Sequence, residues 1–121
     1  MDECFRDDER LFRAVRPGNM YWKEDHTVSS AAFKTPEKDG LSTDRDGGRS
    51  TEECVRRISE KLKGGVVSVS YSQCREVEAA VEYAPVEGNE FHSLIKREGE
   101  KTELSNGQAK FLAKNCRVDK E

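Results

Sequence analysis

Little in this chain suits a membrane, a metal or a disulfide framework. No stretch approaches the roughly 20 apolar residues that cross a bilayer. The opening MDECFRDDERLFRAV lacks the basic-then-apolar order of a secretory signal. The expectation is a cytoplasmic protein with no membrane partner. Its four cysteines, Cys4, Cys54, Cys74 and Cys116, are widely spaced and never form a C-x-x-C pair. Without export, the reduced state is expected. His26 and His92 are the two histidines, and neither stands at zinc-ligand spacing from a cysteine. Neither a metal nor a cofactor is expected.

Apolar residues are scarce as well. Hydrophobic content is 34% against 37% charged, which leaves a modest core and a heavily solvated surface. At 121 residues the chain has room for one domain. Positive charge is not in excess, with 21 basic residues against 24 acidic and a net charge of −3. Broad nucleic-acid binding through phosphates is therefore not expected. A local basic patch is left open, because Arg45, Arg49, Arg56, Arg57, Lys61 and Lys63 fall close together, although acidic residues interleave with them.

What is present is periodic. RLFRAVR (10–16) alternates like a strand and is closed by Pro17-Gly18-Asn19. VSSAAFK (28–34) reads as a short strand, 35–40 as a turn, and 41–44 as a short strand or bridge. Ser50 with Glu53 is a capping-box pattern, and Cys54, Val55, Ile58 and Leu62 recur at helical spacing until Gly64-Gly65. VVSVSYS (66–72) reads as an inner strand and 72–80 as a short helix capped by Ser72. VEYAPVE is extended, with Pro85 marking an edge or exit. FHSLIKRE is a strand with Phe91, Ser93 and Ile95 on one face, and Ser105 caps a last helix. The expected fold is α+β: a single small domain over 10–116, a mixed β-sheet with two to three helices packed on it. Residues 1–9 and 117–121 are expected to be flexible ends.

Several side chains could carry chemistry. His92 follows a Gly-Asn turn at the start of a strand, and imidazole titrates near neutrality, so it is the candidate base. Against this stands a histidine packed beside Leu94 and bonded to a backbone carbonyl. Arg13, in an apolar strand, needs an anion, a ligand phosphate or a carboxylate of the chain. Ser29, Ser30 and Ser42 lack a Gly-x-Ser-x-Gly elbow, so they are expected as ligand contacts or turn formers rather than nucleophiles. Asp44-Arg45-Asp46-Gly47-Gly48 precedes a helix N-terminus that would suit a phosphate, though Gly-Gly before a cap is also a common structural device. Cys74, near a helix start, is a weak nucleophile candidate for pairing with His92. Met20-Tyr21-Trp22 could stack a base or nicotinamide ring, or simply pack in the core.

LFRAV, VSSAAFK, GLSTDR and NEFHSLI together resemble a small uncharacterised bacterial protein family with S-S-x-A-F, G-L-S and N-x-x-H motifs, over roughly residues 10 to 97. The resemblance implies no activity; it sets His26 aside and retains Asn89 and His92. A second likeness is to ADP-ribosyltransferase-like folds, where an arginine on the first strand and a serine strand frame a nicotinamide dinucleotide, with a glutamate further on. It implies roles for Arg13, Ser29-Ser30 and Glu90, although the first two motifs stand close together and no E-x-E pair follows.

The expected function is a ligand- or partner-binding module whose polar pocket is built from residues 29–45 and the Asn89–His92 segment. Its ligand-binding residues would be Arg13, Ser29, Ser30, Lys34, Ser42, Asp44, Arg45 and Asn89, with His92 as the catalytic candidate. The partner would be a small polar or phosphorylated ligand, or a protein. Two alternatives stay open: an enzyme acting on a nucleotide or nucleic-acid phosphate, and an immunity-like inhibitory partner whose acidic surface covers a basic target.

Overall fold

The first strand, β1 (Arg10–Val15), buries Leu11, Arg13 and Val15 on one face and Phe12 on the other, as the two-residue period of a strand requires. In the computed structural model, which describes residues 1–34, 39–99 and 102–121, β1 lies at the middle of a sheet. Around it run β2 (Leu41–Arg45), β3 (Gly65–Ser70), β4 (Ala79–Tyr83), β5 (His92–Arg97) and β6 (Arg117–Lys120). Three helices, α1 (Thr51–Lys61), α2 (Tyr71–Glu76) and α3 (Asn106–Asn115), join them, and a short 3-10 helix, Ser30–Phe33, lies between β1 and β2. The spatial order is β4-β5-β2-β1-β3-β6.

The class is the expected α+β, in one small domain. One detail differs: every described pairing is antiparallel, so the sheet is not mixed. The helical connections explain the expectation. β2 and β3 both run antiparallel to β1 and therefore parallel to each other, and α1 crosses between them. The same holds for β3-α2-β4 and β5-α3-β6. Each helix joins strands of like direction, as a crossover must, but those strands never become neighbours.

Helix starts follow from side-chain caps. Ser50 Oγ accepts from the Glu53 amide, and Ser105 and Gln108 form a full capping box on α3. For α2 the cap is Ser70 with Gln73, not Ser72, because Ser70 ends β3 with its hydroxyl directed at the first turn. The VSSAAFK segment is not a strand. Ala32 and Phe33 are adjacent and both buried, whereas a strand would send them to opposite faces. Part of the turn expected at 35–40, residues 35–38, lies outside the described residues.

The expected free C-terminal end is strand β6, which pairs with β3 through Val67↔Val118 and Ser68↔Arg117 and so satisfies the outer edge of β3. The N-terminal segment is also tied down. Glu9 is buried, and Arg6 donates to Asp46 at 2.7 Å.

Two unequal cores result. On one face Leu11, Val15, Val67, Val69 and Ile95 meet Phe33, Leu104 and Leu112 beneath the 3-10 helix and α3. On the other, α1 sets Cys54 and Ile58 over Phe12 and Val66. That smaller core covers the β1/β3 side alone. The β2/β5/β4 side of the same face carries Ser42, Asp44, His92, Leu94, Lys96 and Glu82, each exposed or half-buried. No described helix is long and apolar enough to cross a membrane.

Candidate functional site

The open half-face begins where α1 stops. β2 and β5 pair with Asp44 opposite His92 and Ser42 opposite Leu94, so Ser42, Asp44 and His92 project from one side of the sheet. His92 Nδ1 lies 2.7 Å from the Ala84 carbonyl oxygen. A carbonyl can only accept, so Nδ1 carries the hydrogen. In the neutral ring Nε2, 3.3 Å from Ser42 Oγ, is then left as an acceptor for the Ser42 hydroxyl. Asn89 accepts the Phe91 amide at 3.0 Å and donates through Nδ2 to Asp44 Oδ1 at 2.8 Å. Ser42, Asp44, Asn89 and His92 thus form one polar wall.

α1 supplies the facing wall. Arg57 and Lys61, four residues apart, share one side of the helix with Ile58 and Leu62. Together with Arg49 they line a cleft of about 180 Å³ with Phe12, Ala14, Ile58 and Leu62 at its apolar base. Arg49 is fixed: its guanidinium stacks 3.4 Å from the Phe91 ring centroid and donates to the carbonyls of Asp46 and Arg45. Lys61 reaches the Gly88 carbonyl only at 3.5 Å. Arg57 is exposed and has no hydrogen bond or ion pair with any described residue. On the outer side of the helix Arg56 is paired with Glu53 and Glu60, so adjacent arginines meet different fates.

A second cavity, about 840 Å³, adjoins the first and shares Ala14, Ser42 and Leu62 with it. It exists because β1 and β2 pair only at Leu11↔Arg45 and Phe12↔Asp44 and then part, while β1 and β3 stay paired over six positions. The buried Arg13 side chain bridges the gap. Nε donates to the Ala32 carbonyl at 2.7 Å and Nη1 to the Ser42 carbonyl at 3.0 Å. Arg13 and His92 therefore converge on the backbone and the side chain of the same serine.

The remaining sequence candidates lie elsewhere. Ser29 Oγ donates to the Met20 carbonyl, Ser30 opens the 3-10 helix, and Lys34 binds the Leu104 carbonyl and Glu103. Ser29 and Lys34 are tethers between loops, on the face to which Arg13 and Phe33 are turned. Arg45 is spent on Glu9, with bonds of 2.7 and 2.9 Å and 4% side-chain exposure, a buried cation matched by a buried carboxylate. Glu90 is exposed, and its carbonyl accepts from the Tyr83 hydroxyl. Tyr21 and Trp22 are half-buried against the larger core, while Met20 is exposed. His26, exposed, faces Glu121.

The Gly47-Gly48 loop is not an open phosphate cradle. Glu9 accepts the Gly47 amide and Asp46 accepts the Gly48 amide, so two carboxylates of the chain already fill the anion's place. Burial opposes ionisation of both acids. Arg45 and the Gly47 and Arg6 amides outweigh it for Glu9, and the Arg10 and Gly48 amides with Arg6 do so for Asp46, holding each below its ordinary range. Nor is Cys74 a nucleophile. It is fully buried in the larger core, and burial pushes its thiol up to about 12. The four cysteines are free thiols.

Arg57 and Lys61 were visible in the sequence as a basic patch, but only their i, i+4 spacing pointed them toward one side of α1. The parting of β1 from β2 had no sequence signal. Comparison with family models, with curated proteins and with solved structures finds no match.

Proposed function

We propose that this protein binds a small phosphorylated ligand of the nucleotide class in the cleft between α1 and the open half-face. One observation carries the reading: an unpaired Arg57 beside Lys61 faces a polar wall of Ser42, Asp44, Asn89 and His92 across an apolar base. An exposed guanidinium suits a phosphate, the apolar base suits a ring, and convergent polar groups fix orientation. At about 180 Å³ the cleft is smaller than the roughly 300–1,000 Å³ of ordinary ligand pockets. The rest of such a ligand would occupy the adjoining cavity. A cytoplasmic location goes with this reading.

Thermal shift across nucleotides, dinucleotide cofactors and short RNA tests it, on wild type and on Arg57→Ala/Lys61→Ala. Ligand at a hundred times its dissociation constant contributes about 2.7 kcal/mol. The expected result is a raised wild-type midpoint that the double variant loses. If nothing in the panel raises the wild-type midpoint, the nucleotide reading fails, and an immunity-like role with a protein partner takes its place, to be pursued by pull-down.

A second reading, an ADP-ribosyltransferase-like enzyme, is favoured by Arg13 of β1 meeting the Ser42-Thr43 strand where the sheet parts. Ser42-Thr43, rather than Ser29-Ser30, would then be the serine strand. Consumption of a nicotinamide dinucleotide by wild type and its loss in His92→Ala would select this reading over simple binding.

A further inference from the structure

We infer that Ser42 is a nucleophile activated by His92, and that the cleft carries out acyl transfer on a carboxylic ester bearing an anionic group. The inference rests on the cleft reading above for that anionic group alone, which Arg57 and Lys61 would hold; nucleophile and base rest on their own geometry. Three atoms lie in sequence: Ser42 Oγ, His92 Nε2 at 3.3 Å, and the Ala84 carbonyl oxygen 2.7 Å from Nδ1. This is a nucleophile, a base, and a third group that orients the base, with a backbone carbonyl where a carboxylate often stands. The carbonyl does the orienting group's first task, which is to fix the tautomer with its free lone pair toward the serine. A separation of 3.3 Å is what an unliganded dyad shows before substrate tightens it.

Strand register builds this pair. Ser42 and His92 are diagonal neighbours on β2 and β5, a distance that an imidazole can span and a smaller side chain cannot. Ser42 is exposed and lines both cavities, so an ester can approach Oγ from the cleft or from the gap beside Arg13. Asp44, directly opposite His92 in the register, is held by Asn89 on the same side of the sheet.

In the first step the Ser42 Oγ–C bond forms as the hydroxyl proton passes to His92 Nε2. The tetrahedral adduct then expels the alcohol, which takes that proton as its C–O bond breaks. Water repeats the sequence on the acyl-serine: its proton goes to Nε2, its oxygen bonds to the acyl carbon, and Ser42 leaves with the proton restored. Ester and water become acid and alcohol, with no other reactant.

A fluorophosphonate probe read by intact mass and peptide mapping tests the dyad without knowledge of the natural ester. The expected result is one adduct on Ser42 in wild type, none at that position in Ser42→Ala, and labelling slowed at least about 100-fold in His92→Ala, the lower end of what a positioned base contributes. Wild-type labelling no faster than Ser42→Ala overturns the inference, and so does Ser42 labelling that His92→Ala leaves unchanged. Both substitutions are at half-buried or exposed positions, and unchanged melts show that each variant is folded. Hydrolysis of mono-p-nitrophenyl succinate, an anionic ester, should be lost in both variants and weakened in Arg57→Ala; hydrolysis equal in wild type and Ser42→Ala also overturns it. Failure here is distinct from failure of the cleft reading. A nucleotide that stabilises wild type without any Ser42 adduct removes the dyad alone, and His92-dependent labelling without nucleotide stabilisation removes the nucleotide alone.

Discussion

Arg45 leaves β2 toward the N-terminal segment, and Arg57 leaves α1 toward the open half-face. The first has used its donors on its own chain: two bonds to Glu9, one each to the carbonyls of Asp2 and Cys4, with the Phe5 ring 4.1 Å from its guanidinium carbon. The second has no described partner. Both are arginines among polar residues, and both sat in the basic patch read from the sequence. Their difference shows that an arginine's role is decided by how many of its donors the fold has already satisfied. Arg45 belongs to the protein's architecture, fastening residues 1–9 across the end of the sheet. Arg57 is exposed, and its donors are met by no described residue.

The comparison breaks most visibly at the buried pair. Arg45→Ala leaves the Glu9 carboxylate buried without its cation, which costs about 3–5 kcal/mol, and a urea melt should show the midpoint fall with the slope preserved. Glu9→Gln should cost a comparable amount, because it leaves the guanidinium as the orphan. Replacing both, as Glu9→Met with Arg45→Leu, should recover much of the loss, since an apolar pair of similar volume is often as stable as a buried ion pair. A cost below about 1 kcal/mol for Arg45→Ala would place this arginine with the surface charges and erase the distinction from Arg57.

Acid sharpens the same contrast. Glu9 and Asp46 are held below their ordinary carboxylate range in the folded protein, so each contributes stability above that range. The contribution is lost as pH falls through the ordinary values, about 4 to 4.5, toward the depressed folded ones. Urea midpoints measured from pH 7 downward should therefore drop below about pH 5, and the Glu9→Met/Arg45→Leu variant should drop less than wild type, retaining only the Asp46 share. Equal drops would assign the acid sensitivity to other groups.

Period-two alternation and cap residues made most elements legible: β1, α1, β5 and α3 follow directly from LFRAV, Ser50, the His92/Ser93 alternation and Ser105. What escaped depends on pairing over long separations. RVDK became β6 because β3 offers it an unpaired edge, and nothing within those four residues announces this. VSSAAFK looked β-like from its composition, but Phe33 and Ala32 are both needed in the core, which a strand cannot deliver. In the site, the GLS segment enters β2 and the N-x-x-H segment leads into the adjacent β5, which brings Ser42, Asp44, Asn89 and His92 together. Ser29, Ser30, Lys34 and Arg45 were assigned to the same wall from their nearness in sequence. Ser29, Lys34 and Arg45 bond to loops and to Glu9, and Ser30 opens the 3-10 helix, away from that wall, because successive strand residues alternate faces and the segment before β2 crosses to the other side.

The smallest effect on the fold falls at Arg57. Arg57→Ala removes an exposed charge with no described partner, from a helix position where alanine has equal or better propensity. Its unfolding free energy from urea melts should lie within about 0.5 kcal/mol of wild type, as for surface substitutions away from caps, cores and ion networks. Arg56→Ala, one residue earlier, removes two exposed ion pairs, and such pairs are worth little in water. Stability therefore does not separate the two neighbours, but ligand stabilisation and anionic-ester turnover should, because only Arg57 lines the cleft. If Arg56→Ala weakens either as much as Arg57→Ala does, the helix acts as a diffuse positive surface, and the contrast between a spent arginine and a waiting one loses its second half.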